Sequence, residues 1–206
     1  MSCSPVRIVP LEPPYDERTR RLLSLMAPAG STPTIPRLFT TLLHNIQLAE
    51  SMQPLGRLLL RMAGSGSLTR RDREIVILRV SVNCRAEYEW GVHAATLSAG
   101  AGLTPAQIAD SQQQQVGSAL WSSRDRLLLR LCDQLHREST VNAELWTQLE
   151  GAFDVPEILE LLSLVGWYHM VAYITNVAGT ELESWAARFS TAARELPGRE
   201  PDPVPD

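Results

Sequence analysis

The sequence of 206 residues predicts an all-α protein. Apolar residues recur at three- and four-residue spacing along most of the chain, which is the pattern of an amphipathic helix. Short capping sequences such as Thr69 followed by Asp72 mark where helices begin. No stretch shows the sustained alternation of apolar and polar residues that is typical of a strand.

The first helices are predicted from apolar clusters. Leucines and a methionine at 22–26 give the first, and the cluster at 38–43 gives the second. Thr69 is the N-cap of the fourth, because an acid follows three residues later. The predicted helices of this half cover 15–27, 35–44, 46–63, 70–83 and 86–99.

The later helices have clearer boundaries. Gly100 and Gly102 are expected to end the helix over 86–99. Thr104 followed by Pro105 is a helix start, and Ser122 begins another ahead of an apolar run. The predicted helices of this half cover 105–115, 123–138, 142–152, 156–178 and 180–194.

The domain organisation follows from where prolines lie. Residues 1–14 form a Pro-rich segment, 15–195 a single helical domain, and 196–206 a Pro-rich tail without regular structure. The sequences at 73–78 and 156–161 are similar to each other. This similarity leaves open a duplicated helical unit, although amphipathic helices often look alike.

Composition narrows the possible functions. Hydrophobic residues make up 44% and charged residues 20%, as in an ordinary globular protein. The net charge of −4 provides no basic surface for nucleic acid. All 19 basic residues are Arg, so lysine-dependent Schiff-base chemistry and a phosphate-binding loop with lysine are excluded.

The cysteines Cys3, Cys84 and Cys132 are widely separated, which fits neither a disulfide framework nor a CxxC motif. The N-terminus has no charged-then-apolar signal, and we expect a cytoplasmic protein. The apolar stretch 158–179 is long enough to cross a membrane. Polar residues within it favour a buried helix instead, so no membrane association is expected.

Glu89 and His93 are the most informative residues. At a spacing of four they share one face of a helix, within reach of each other, and form an acid–base pair. The alternative is an ion pair or a core histidine without a catalytic role.

The segment 72–108 resembles the carboxymuconolactone decarboxylase family, whose superfamily includes alkylhydroperoxidase D. The resemblance is carried by Asp72-Arg73-Glu74-Ile75-Val76-Ile77-Leu78-Arg79, by Glu87-Tyr88-Glu89-Trp90-Gly91-Val92-His93 and by the residues around Gly100 and Gly102. It extends over roughly 38–179. It implies an AhpD-like all-helical fold that assembles into homotrimers or hexamers, with sites near subunit contacts.

The two branches of this superfamily differ at the residues that precede the histidine and determine the chemistry. The peroxidase branch carries C-x-x-C-x-x-x-H, but Ala86 and Glu89 occupy the two cysteine positions here. The resemblance therefore implies a branch without the dithiol. Glu74, nineteen residues before His93, matches the proton-relay glutamate of the peroxidases, whereas Glu89 matches the glutamate of the decarboxylases.

The resemblance implies a decarboxylase-like lyase or isomerase that uses no cofactor and acts on a small carboxylated lactone or another enolisable acid. The expected catalytic residues are Glu74, Glu89 and His93, with His93 as proton donor and Glu89 orienting it. A metal held by these three residues is a weaker alternative, so we expect no metal. The expected substrate-binding residues are Tyr88, Trp90, Arg79, Tyr168 and His169.

Several alternatives stay open. Tyr88 and Trp90 also fit packing roles, Arg79 fits an exposed ion pair, and His169 fits a core position. An alkylhydroperoxidase-like oxidoreductase would have to use another cysteine, such as Cys84. A third possibility is a non-catalytic helical oligomer that binds a small ligand.

Overall fold

The computed structural model describes residues 5–27, 32–60, 68–113 and 118–194, and these residues contain helices and connecting segments without a strand. Short 3₁₀ turns follow α2 and α5 and precede α7. The helices are α1 Glu17–Met26, α2 Arg37–Leu42, α3 Ile46–Leu60, α4 Arg70–Asn83, α5 Glu87–Thr96, α6 Pro105–Asp110, α7 Ser123–Glu138, α8 Ala143–Glu150, α9 Val155–Ala178 and α10 Thr191–Arg194.

Helix α4 is the centre of the fold. It packs against α5, α7 and α9, and almost all of its residues are buried. A helix that is covered on every side cannot be amphipathic, which is why α4 shows apolar residues around its whole circumference. The side chains that α4 presents to cavities are therefore held on a rigid element.

Ion pairs join α4 to α7. Arg71 pairs with Asp125 at 2.9 Å and Arg79 pairs with Asp133 at 2.6 Å. In each pair the two partners are 54 positions apart in the sequence. A step forward along α4 is therefore matched by an equal step forward along α7, so the two helices run in the same direction. A third pair, Arg124 with Asp72 at 3.0 Å, lies beside the first.

A second apolar cluster lies between α1, α2, α3 and the end of α9. It contains Leu22, Leu42 and Met52, and Trp167 packs against both this cluster and the central one. The N-terminal segment is bound over it, since the amides of Arg7 and Ile8 both donate to the carbonyl of Ala178.

Helix α9 is long and apolar enough to meet the length and composition of a membrane span. One face of it is packed in the protein core, where Leu161, Leu164 and Tyr168 are buried. The prediction of a helix buried in the protein is therefore confirmed for this face. The outward face exposes Leu159 and Tyr173.

The helix predicted over 180–194 is wrong, because only Thr191–Arg194 is helical. Residues 180–190 instead run along α5, where the amide of Ala187 donates to the carbonyl of Gly91 at 3.0 Å. The predicted tail 196–206 lies outside the described residues.

Two other predicted helices are shorter than expected. The helix predicted over 86–99 ends at Thr96, ahead of the glycines that were expected to end it. The helix predicted over 105–115 ends at Asp110, where Ser111 and Gln112 turn the chain.

Candidate active site

A cavity of about 970 Å³ lies between the N-terminal helices, α4, α5 and α9. Most of its wall is apolar, including Leu38, Met52 and Trp167. Polar side chains of α4, α5 and α9 meet at one part of this wall, and they are Glu74, Glu89, His93 and Tyr168.

The start of α4 and the turn after it set the positions of Glu74 and His93. Thr69 and Asp72 form a reciprocal capping box, which holds the first turn that leads into Glu74. After α4, Arg85 adopts a left-handed conformation with φ 54°, and this turn directs α5 back along α4. His93 on α5 thereby comes to face Glu74.

His93 is bound to Glu74 through its Nδ1 atom. The two carboxylate oxygens of Glu74 lie 3.1 and 3.2 Å from Nδ1, and both side chains are buried. A carboxylate only accepts hydrogen bonds, so Nδ1 carries the proton. Burial acts to lower the pKa of His93, but the charge and hydrogen bond of Glu74, with the charge of Glu89, outweigh it and the pKa is raised.

The other nitrogen of His93, Nε2, lies 2.9 Å from the hydroxyl of Tyr168. Neutral His93 accepts this hydrogen bond at Nε2, whereas the imidazolium donates it to the tyrosine oxygen. Burial, with the charges of Glu89 and Glu74, raises the pKa of Tyr168 well above its usual value. Tyr168, His93 and Glu74 thus form a continuous chain along which a proton can move.

Glu89 is the unusual group of the site. Its carboxyl group is buried at 4% exposure, and its Oε1 atom has no hydrogen-bond partner among the described residues. Burial raises its pKa from 4.5 to about 7, against the opposing charge of His93. A carboxyl group of this kind can both give and take a proton near neutral pH.

Residues 48–124 match the profile of the Carboxymuconolactone decarboxylase family. This matched region contains Glu74, Glu89 and His93. The chain is therefore similar to this family over 77 of its 206 residues. Ala86 and Glu89 stand at the two positions where the peroxidase branch carries the cysteines of its CxxC dithiol.

Several solved structures have a fold similar to that of this chain. A peroxidase-related protein from Silicibacter sp. TM1040 is 15% identical with a TM-score of 0.75, and the match covers 91% of this chain and 98% of that one. A peroxidase-related protein with an alkylhydroperoxidase AhpD core, from Ralstonia eutropha JMP134, is 19% identical with a TM-score of 0.69 and coverage of 86% and 93%.

A third similar structure is a cysteine-to-alanine variant of the debrominase Bmp8 in complex with 2,3,4-tribromopyrrole. It is 10% identical to this chain, with a TM-score of 0.72 and coverage of 89% and 95%. No curated protein sequence matches the chain. At these identities the structures establish the AhpD-like fold and leave the reaction open.

The predicted catalytic residues Glu74, Glu89 and His93 meet at the cavity, but their contacts differ from expectation. Glu74, and not Glu89, makes the hydrogen bond that orients His93. Glu89 acts on His93 through its charge. The i,i+4 spacing placed Glu89 and His93 on one face, while the contact with α4 depends on a packing angle that spacing does not contain.

The predicted substrate-binding residues divide into two groups. Tyr88 and Tyr168 line the cavity, and the hydroxyl of Tyr88 donates to Glu183 at 2.9 Å. Trp90 does not line it, because its indole N–H is bound to the Ser111 hydroxyl in the core. Predicted substrate contacts of Trp90, Arg79 and His169 are not supported by the geometry.

Arg79 and His169 have other partners. The guanidinium of Arg79 is buried against Asp133 and the carbonyl of Gln113, so it cannot hold a ligand in the cavity. His169 follows Tyr168 on α9 but points away from the cavity towards His136. Consecutive helix residues are about 100° apart, which explains why only one of the two reaches His93.

Two arginines of the cavity wall were not predicted as site residues. Arg70 and Arg73 line the cavity beside Glu74, Arg73 being buried and Arg70 exposed. The sequence spacing could have predicted Arg70 as a site residue, because Arg70 lies four residues before Glu74 and so shares its helix face. They bring positive charge to a cavity that also holds two acids.

Proposed function

We propose that the chain is a carboxy-lyase of the carboxymuconolactone decarboxylase type, which acts on a small carboxylated lactone or a related enolisable acid. The observation that carries this proposal is Glu89, a buried carboxyl group with a free oxygen in a cavity and a pKa of about 7. Such a group is suited to proton transfer with a bound ligand, and burial without a purpose would only cost stability.

The cavity fits the proposed substrate class. An apolar wall suits a small ring, and the complex of the debrominase Bmp8 contains the small ring of 2,3,4-tribromopyrrole. Arg70 and Arg73 line the cavity, and a guanidinium suits the binding of a substrate carboxylate. We assign Arg70 to this role, since Arg73 already donates to the carbonyl of Leu68 at 2.7 Å.

The proposed step breaks the bond between the substrate carboxylate carbon and the adjacent carbon. CO₂ leaves, and the electron pair stays on the adjacent carbon as an enolate conjugated with the lactone carbonyl. Glu89 then donates its proton to the substrate carbon, and the net reaction consumes one proton. Tyr168 and His93 stabilise the enolate and return a proton to the site from solvent.

The alternative of an alkylhydroperoxidase-like reaction is less favoured. Peroxide reduction needs a thiolate, and burial raises the pKa of Cys84 to about 11. Cys84 also does not line the cavity that contains His93. Cys132 is completely buried and its pKa is raised further by that burial.

The test is a direct assay with 4-carboxymuconolactone and a panel of carboxylated lactones and β,γ-unsaturated acids, in which CO₂ release is followed. We expect turnover by the wild-type chain and a decrease in kcat of about 10²–10⁴-fold for Glu89→Gln and His93→Ala. Arg70→Gln is expected to raise KM about tenfold, with a smaller effect on kcat.

The matched control is Glu87→Gln. Glu87 lies on the same helix but pairs with Arg194 outside the cavity, so its substitution should leave kcat unchanged. The proposal is wrong if no acid of the panel releases CO₂, or if Glu89→Gln and His93→Ala retain wild-type turnover.

A further inference from the structure

A second group of reactive side chains lies outside the active-site cavity. Cys84 at the end of α4, His136 on α7 and His169 on α9 place their Sγ and ring nitrogen atoms within 4.8 Å of one another. His136 Nδ1 and His169 Nε2 are 3.1 Å apart. None of the three lines the cavity that contains His93.

His169 is oriented for ligation. Its Nδ1 atom lies 2.9 Å from the carbonyl of Val165, and a carbonyl only accepts, so Nδ1 carries the hydrogen. The lone pair of the neutral ring is then on Nε2, which faces His136. Histidines that bind metals are oriented in this way by a backbone carbonyl on their second nitrogen.

Cys84 is also held in place by its backbone. Its amide donates to the carbonyl of Val80 at 2.9 Å, and its own carbonyl accepts from the side chain of Asn176 on α9 at 2.8 Å. The thiol therefore belongs to a segment that is fixed to both α4 and α9. His136 on α7 is exposed, so one side of the group is open to solvent.

We propose that Cys84, His136 and His169 bind a divalent metal ion of the zinc type, with water as the fourth ligand. Thiolate and imidazole are both ligand types that zinc binds, with water as the remaining ligand in an open site. Tetrahedral zinc places two ligand nitrogens about 3.3 Å apart, close to the observed 3.1 Å. On binding, the Cys84 thiol loses its proton to solvent as the sulfur–metal bond forms.

The bound ion links three helices. α4 carries Glu74 and α9 carries Tyr168, so the metal would hold together two of the helices that form the cavity wall. The ion itself lies outside the cavity, and the proposed decarboxylation does not depend on it.

The test uses the full chain without an affinity tag, stripped of metal and kept reduced with a non-chelating reagent. Co²⁺ is titrated while absorption is recorded. We expect one Co²⁺ per chain, with a sulfur-to-cobalt charge-transfer band in the near ultraviolet. Cys84→Ser should abolish this band, and His136→Gln should weaken binding by more than about tenfold.

Thermal unfolding gives a second readout. At about 100-fold excess of free Zn²⁺ over Kd, the Tm of the wild-type chain should rise by about 5–10 °C. His44→Gln is the matched control, because His44 is exposed and lies outside the cluster. It should keep both the band and the Tm shift.

His136 is exposed, so His136→Gln should fold, and circular dichroism will verify this. A Co²⁺ complex without the sulfur band, or one that is unchanged in Cys84→Ser, would overturn the proposal. So would a Tm shift of equal size in His136→Gln and the wild type. The contact between the two imidazoles would then be a hydrogen bond only.

Discussion

The raised pKa of Glu89, which carries the proposed function, also makes the stability of the chain depend on pH. The pKa of Glu89 is about 7 in the folded chain, whereas an ordinary glutamate, as in the unfolded chain, has a pKa of 4.5. Below pH 4.5 the carboxyl group is protonated in both states and contributes no pH dependence. Between 4.5 and 7 the unfolded chain loses the proton first, so ionisation favours unfolding as pH rises.

We expect Glu89→Gln to be more stable than the wild type above pH 7. The gain in the free energy of unfolding should grow between pH 4.5 and 7 and reach about 3 kcal/mol. Denaturant unfolding of both proteins across this pH range measures it. The raised pKa of His93 also lowers the stability of the folded chain as pH rises. Glu89→Gln keeps the part of this effect that Glu74 causes and removes the part that the charge of Glu89 causes.

Glu87→Gln is the control, since Glu87 lies on the same helix and pairs with Arg194 outside the cavity. A constant difference in stability between Glu89→Gln and wild type across pH 4.5–7 would contradict the raised pKa of Glu89. Increased stability together with lost turnover would be the expected signature of a functional group that the fold tolerates at a cost.

The extent to which the site could be predicted depends on how local each contact is. Glu89 and His93 are four residues apart on one helix, and the sequence alone placed them on one face. The partner of Arg79 is 54 residues away. No local pattern distinguishes an arginine that meets Asp133 from one that meets a ligand.

At the level of helices, the residue that ends α7 allows the cost of a left-handed backbone to be measured. Ser139 follows the last residue of α7 in a left-handed conformation with φ 56°, and its side chain is exposed. Glycine adopts this conformation without the cost that a Cβ atom imposes. We expect Ser139→Gly to raise the free energy of unfolding by about 0.5–1 kcal/mol, measured by urea denaturation.

Thr140→Gly is the control at the next position, because Thr140 is also exposed but has no positive φ. It should lower the free energy of unfolding or leave it unchanged, since glycine there only increases the freedom of the unfolded chain. An equal effect of both substitutions would show that the left-handed backbone of Ser139 carries no cost.

Helix boundaries were predictable where capping residues mark them. The predicted starts at 70, 105 and 123 agree with the structure, and the side chains of Thr69, Thr104 and Ser122 accept the expected backbone hydrogen bonds. The segment 180–190 has apolar residues at helical spacing but packs without forming a helix. Its backbone is bound by Gly91 and Glu87 of α5, which are distant in sequence.

For the whole molecule, the family resemblance predicts a homotrimer or hexamer. The outward face of α9 is where we expect the contact, because it exposes Leu159, Tyr173 and Val177 at 60–62%. The purified chain should then have three or six times the monomer mass of 22.8 kDa. Light scattering coupled to size-exclusion chromatography measures this mass.

Leu159→Arg should reduce the measured mass, because a charge on this face cannot be buried without a partner. Leu48→Arg is the control, since Leu48 is exposed on α3 and is not part of α9. A monomer mass for the wild type would contradict the prediction, as would an equal effect of both substitutions.

The contact between α4 and α7 has one more consequence. Arg71-Asp72 and Arg124-Asp125 are identical dipeptides, each at the start of its helix, and each arginine pairs with the aspartate of the other. This reciprocal pairing is the pattern of an isologous dimer interface, here formed within one polypeptide. Reversing Asp72 and Arg124 together therefore preserves an attraction that either reversal alone would turn into repulsion, at the expense of the capping box between Thr69 and Asp72.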